Sequence, residues 1–141
     1  MPEGAPSDLN LSGLWNGLYS YPPGRGREPV EFSATLRERD GWLEGSTSEI
    51  GEAGEARGQT LTATIQGRRT GLSVTFLKTY DGAFRHYDAV QYVGVVRNDG
   101  EEIEGKWTVP GSWSGAFLMI RSGPAPQARQ ARTVERAGQD R

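Results

Sequence analysis

Cysteine is absent from the 141 residues, which excludes disulfides, thiolate nucleophiles and cysteine-ligated metal. Histidine occurs once, as His86. With Asp81 and Asp88 it makes too poor a ligand set for a transition metal, so no metal site is expected. No apolar run approaches the roughly 20 residues of a membrane-spanning helix. The opening Met1–Asp8 has neither the basic region nor the apolar core of a secretion signal. A soluble cytoplasmic protein with no membrane partner is therefore expected. The 16 basic and 18 acidic residues are interspersed, so no basic stripe points to nucleic acid. Phosphate-cradling and nucleophile-elbow motifs are missing. No cofactor is expected and no catalytic residue is assigned.

Helical periodicity is also missing before residue 122, whereas period-2 apolar alternation is plentiful. Eight strands are expected, at 11–21, 30–39, 42–50, 60–67, 71–80, 89–97, 101–109 and 112–121. Short links such as Asp40-Gly41, Gly67–Gly71, Asn98–Gly100 and Pro110-Gly111 force antiparallel hairpins, because a parallel crossover needs a dozen or more residues. The chain holds 20 glycines, roughly twice the usual share. Gly17, Gly45, Gly94, Gly105 and Gly115 fall at mid-strand, as in Trp15-x-Gly17-x-Tyr19 and Trp113-x-Gly115-x-Phe117. Such glycines mark bends or close backbone approaches. Repeated around a sheet, they let it coil into a narrow closed barrel. They either withdraw volume to leave a cavity or permit coiling with no empty space.

The fold class that follows is all-β, a single antiparallel up-and-down barrel of eight strands with disordered termini. Residues 1–10 read as a flexible arm and 11–121 as the barrel. Residues 122–141 read as a disordered tail, with Val134 its only large aliphatic residue and a short helical turn allowed near 132–137.

Alternation assigns an inner face to each strand. The inner set is mostly apolar, while its complement holds Glu31, Arg37, Thr62, Gln66, Glu104 and Lys106. Glu49, Lys78, Tyr80 and Arg121 are exceptions on the inner phase. Odd-numbered strands share a direction, so Tyr21, Glu49 and Tyr80 converge at one mouth, with Lys78 just below. Arg121 ends an even strand and belongs at the opposite end, near Trp15. The mouth cluster suits the polar group of a ligand, or forms a plain rim salt bridge. Tyr19, Phe76, Tyr92 and Trp107 are core residues that also line any ligand chamber. The Arg68-Arg69 pair reads as a solvated hairpin tip, and His86 as an exposed loop residue. On the outer phase Leu14 and Leu18 meet Ala116, Leu118 and Ile120 once the first and last strands pair. That apolar patch is expected to support a homodimer.

Gly13-Leu14-Trp15, together with Arg121, resembles the G-x-W signature and terminal basic residue of calycins, the superfamily of lipocalins, fatty-acid-binding proteins and avidins. The resemblance implies that Gly13, Trp15 and Arg121 close one barrel end, with Arg121 packed over the tryptophan. It spans residues 11–121 and is similar to the short avidin-type barrels more than to full lipocalins. Ser12-Gly13-Leu14-Trp15 also resembles the start of the bacterial metalloprotease-inhibitor barrels, which implies protein interaction. The favoured expectation is non-enzymatic binding of a small amphipathic or hydrophobic molecule inside the barrel. Its polar group meets Tyr21, Glu49, Lys78 and Tyr80, and its body meets Tyr19, Phe76, Tyr92 and Trp107. An interaction or inhibitor-type barrel is the alternative, and a cyclase- or isomerase-like barrel enzyme comes third.

Overall fold

A computed structural model describes residues 8–51, 57–82 and 87–123. The proposed arm up to residue 7, most of the tail (124–141) and His86 lie outside the described residues. Eight strands follow one another: β1 (Gly13–Ser20), β2 (Val30–Arg39), β3 (Trp42–Ile50), β4 (Thr60–Thr70), β5 (Ser73–Tyr80), β6 (Val90–Arg97), β7 (Glu102–Thr108) and β8 (Ser114–Gly123). Each pairs antiparallel with its sequence neighbours, and β1 pairs with β8, so the sheet closes in simple up-and-down order. The expected all-β, eight-stranded antiparallel up-and-down barrel is the one observed, with β8 running on through Ser122 and Gly123, which were expected in the tail.

Alternation drives the closure. Along β5 the residues are buried and exposed in strict turn, which leaves one apolar face that only a curled sheet can hide. Tight turns set the register: Asp40 and Gly41 both have positive φ, 52° and 84°, the twist-matched geometry of a two-residue hairpin. The expected link at 67–71 is corrected. β4 and β5 stay paired from Gly67↔Phe76 to Thr70↔Ser73, and only Gly71 and Leu72 make the turn. The two arginines that suggested a tip are ladder residues, and Arg69 takes the inner phase.

The interior is filled by rings. Phe76 stacks on Tyr92 with centroids 4.8 Å apart, and Phe117 stands edge-on to Tyr92 at 4.9 Å. Mid-strand glycines make room for further rings. A Cβ at Gly17 would lie 2.1 Å from Cζ of Phe32, and one at Gly115 would lie 2.7 Å from Nε1 of Trp107. Gly17 seats an aromatic ring rather than lining a void, and Gly115 clears Trp107 while admitting the Ser20 carbonyl oxygen, 2.0 Å from such a Cβ. Others mark where neighbouring backbones close up: a Cβ at Gly45 would meet the Thr35 carbonyl oxygen at 2.0 Å. Both effects coil the sheet tightly. Burial of Trp15, Phe76 and Tyr92, each at most 2% exposed, contributes about 1.5–3 kcal/mol per large apolar side chain.

Candidate functional site

Antiparallel order gives the barrel two unlike ends. The tight turns at 40–41, 71–72 and 98–101 share one end with the start of β1 and the finish of β8. The longer connections at 21–29, 51–59 and 81–89, with 109–113, share the other.

The turn end is plugged by the segment just before β1. Leu11 is fully buried and its carbonyl accepts a bond from the Trp15 indole N–H at 3.0 Å. Arg121 lies over the Trp15 ring, 4.6 Å from its centroid, and donates to the carbonyls of Ser12 and Asn10 at 2.8 Å each and to that of Gly100. Gly13 is buried, with φ 142°, beside the bulge where β1 shifts register against β8. Gly13, Trp15 and Arg121 thus meet at one barrel end.

A second ion pair ties the same plug. Arg69 meets Glu38 at 2.7 Å, with side chains 15% and 3% exposed. Glu38 accepts from the Leu11 amide at 2.9 Å, and Arg69 donates to the carbonyls of Leu9 and Gly71. The expectation of a solvated Arg69 is overturned: its inner phase carries it to a buried carboxylate and two backbone carbonyls. Arg68, on the outer phase, instead stacks on Trp42 at 4.4 Å. Glu38 was missed because it lies two residues beyond the last apolar inner residue of β2. Strict alternation from Leu36 was the signal that identifies it.

Toward the loop end lies a buried polar cluster drawn from β1, β3 and β5. Lys78 Nζ is 2.7 Å from Glu49 Oε1. The Tyr19 hydroxyl donates to Glu49 Oε2 at 2.7 Å, and that of Tyr80 donates to the same carboxylate at 3.3 Å. Lys78 is only 1% exposed, and its ammonium sits 4.9, 5.0, 5.3 and 5.9 Å from the ring centroids of Tyr19, Tyr80, Phe32 and Tyr92. Burial pushes its pKa down, and the Glu49 charge partly opposes that. Burial, reinforced by neighbouring phenols and the Glu49 charge, pushes the phenols of Tyr19, Tyr80 and Tyr92 well up, so all three stay protonated at neutral pH.

Two polar groups in this region are incompletely engaged. An ammonium carries three donors, and among the described residues Lys78 makes a single hydrogen bond, to Glu49. The hydroxyl of Thr47, which shares the inner face of β3 with Glu49, is buried without a hydrogen-bond partner among the described residues. Buried polar groups are nearly always satisfied; the remaining donors of Lys78 face the four rings around it, which leaves the Thr47 hydroxyl as the unsatisfied group.

The expected mouth cluster therefore forms with Tyr19 where Tyr21 was placed. Tyr21 instead packs on Trp113 at 5.0 Å and Trp107 at 5.6 Å, edge-on to Tyr19 at 5.8 Å. Trp107 donates its indole N–H to the Ser20 carbonyl at 2.9 Å. Phe76 and Tyr92 lie deeper, in the stacked core. On the outside, Leu18 and Ile120 are 36% and 46% exposed, while Leu14 and Leu118 are half-buried. A shallow outer groove of about 930 Å³ runs from Leu118 and Ile120 past Leu18 to Ile50. Among the described residues no His, Asp or Glu group is arranged to hold a metal ion, and no helix is long and apolar enough to cross a membrane.

No family model matches this chain, and no curated protein does. Among solved structures it is similar to a redesigned β-barrel, with a TM-score of 0.60 at 12% identity, covering 79% of this chain and 90% of that one. The likeness is one of fold.

Proposed function

We propose that this protein is a non-enzymatic binding barrel that receives a small amphipathic molecule at its loop end. The observation that carries the proposal is the Lys78–Glu49 pair with the Thr47 hydroxyl beside it. A buried ion pair adds little stability compared with apolar residues of the same volume. This one also has the Thr47 hydroxyl on the same inner face of β3, without a hydrogen-bond partner among the described residues. A ligand carbonyl, amide or hydroxyl arriving from the loop end would meet the polar cluster of Lys78, Glu49, Tyr19 and Tyr80. The ring-filled interior stops such a molecule at the layer of Tyr19 and Tyr80, with Trp107 and Tyr21 at its side. Phe76 and Tyr92 support that floor from below. In this proposal the barrel is calycin-like, with Gly13, Trp15 and Arg121 as its structural closure. Native mass spectrometry of gently purified protein tests it. A stoichiometric small molecule that is lost in Lys78→Met, with the circular dichroism of the barrel unchanged, is expected. Wild type that emerges empty and binds no member of a library of amphipathic metabolites would overturn it.

The same ring-filled interior favours a second reading, an interaction barrel without an internal ligand. Its contact surface is the outer apolar face of Leu14, Leu18, Leu118 and Ile120, and a second copy of this chain is the partner proposed.

A further inference from the structure

The connection between β1 and β2 reads Pro22-Pro-Gly-Arg-Gly-Arg27. Gly24 and Gly26 take positive φ, 86° and 67°, a conformation that side chains with a Cβ avoid. Those two residues curl the loop back over the barrel rim. Arg25 then lies 4.6 Å from the ring centroid of Trp113, and Arg27 lies 4.4 Å from that of Tyr21. The two rings are themselves in contact, 5.0 Å apart.

Neither guanidinium has a carboxylate partner among the described residues. Glu28 is the next residue in sequence and pairs with neither. Among the described residues Arg27 makes one long bond, 3.4 Å, to the Tyr21 hydroxyl, and the side chain of Arg25 makes none. Each guanidinium carries five donors, so nearly all of them face outward. Stacking on the rings reduces the freedom each guanidinium must lose on binding. An oxyanion at this rim would take up such donors in the planar, forked geometry that arginine offers.

We infer that Arg25 and Arg27 form an anion-recognition rim, and that the molecule taken by this barrel carries an acidic group, a carboxylate, sulfonate or phosphate, on a flat apolar body. The inference rests on the proposed loop-end site and adds the ligand's outer half to it. The flat body lies against Tyr21 and Trp113. The acidic group is held by the two arginines, and the inner end meets the floor of Tyr19 and Tyr80.

A matched pair of probes separates charge from shape. 8-Anilino-1-naphthalenesulfonate and N-phenyl-1-naphthylamine share one aromatic body, and only the first carries an acidic group. Fluorescence titration should show the sulfonate binding wild type about tenfold more tightly, the scale of charge-assisted contacts at an exposed rim. Raising salt from about 0.05 M to about 0.5 M should remove most of that difference. The Arg25→Gln/Arg27→Gln variant, checked for folding by circular dichroism, should bind both probes equally and leave the neutral one unchanged. Equal binding of both probes to wild type, with no effect of the double substitution, would overturn the anion rim while the floor still binds. If neither probe binds, or both bind Trp113→Ala as well as wild type, the loop-end site falls with it.

Discussion

Removing Glu49 gives the sharpest test of what the buried cluster does. In Glu49→Leu the Lys78 ammonium, 1% exposed, keeps its four rings and loses its counter-charge among the described residues. Breaking a buried pair from one side costs about 3–5 kcal/mol. The hydroxyls of Tyr19 and Tyr80 lose their acceptor in the same step, at about 1–3 kcal/mol for each one left unsatisfied. For a domain near this size, the ion-pair term alone lowers the thermal midpoint by roughly 6–20 °C. Lys78→Met should cost less, because the carboxylate keeps both phenol donors. The fourfold variant Tyr19→Phe, Glu49→Leu, Lys78→Met, Tyr80→Phe removes every polar partner at once. It should recover wild-type stability or exceed it by about 1–4 kcal/mol, while losing any bound molecule. Urea unfolding followed by circular dichroism measures all four chains, with an unchanged slope confirming the same denatured state. A fourfold variant as weak as Glu49→Leu would show that the cluster is retained for stability, and the functional argument would fail.

Gly17→Ala places a methyl 2.1 Å from the Phe32 ring and should destabilise by about 1–3 kcal/mol. Adding Phe32→Leu should restore most of it, as read from denaturant midpoints. Alkaline stability follows from four buried groups. Because Lys78 has a lowered pKa in the fold, the unfolded chain holds the extra proton, and stability rises with pH until the free phenols of the unfolded chain titrate, at about pH 10. Above about pH 10 the unfolded chain sheds protons that folded Tyr19, Tyr80 and Tyr92 retain. Stability then falls, with a limiting slope of roughly 4 kcal/mol per pH unit. Absorbance at 295 nm should show these three phenolates appearing together with unfolding; ionisation ahead of unfolding would contradict their burial. Wild type should gain mass with concentration in light scattering, and Leu118→Arg should abolish the gain; a strict monomer unaffected by that change excludes the outer-face dimer.

Much of this barrel is legible in the residue order. Alternation placed Glu49, Lys78 and Tyr80 inside, and the shared direction of the odd strands brought them together. The same logic set Arg121 over Trp15. What alternation does not encode is the tilt of the strands. In a closed barrel, residues at one height are staggered between neighbours, so Tyr19 reaches Glu49 and Tyr21 is carried outward onto Trp113. Glycine is ambiguous in the same way. The missing side chain at Gly17 is an identical signal whether the space stays empty or receives Phe32. The Glu38–Arg69 pair joins β2 and β4 across β3, and no local pattern announces a partner 31 residues away.

The bond between Arg121 and the Ser12 carbonyl spans 109 positions of chain, and it belongs to the seam that completes the cylinder. During synthesis the first ribbon must therefore wait, its edge unpaired, until the last one leaves the ribosome. Seven ribbons without the eighth would present two raw edges and an uncovered aromatic lining, the kind of surface that recruits other chains. Loss of the final ribbon, by truncation or a premature stop, should thus yield aggregates rather than a weaker version of the same protein.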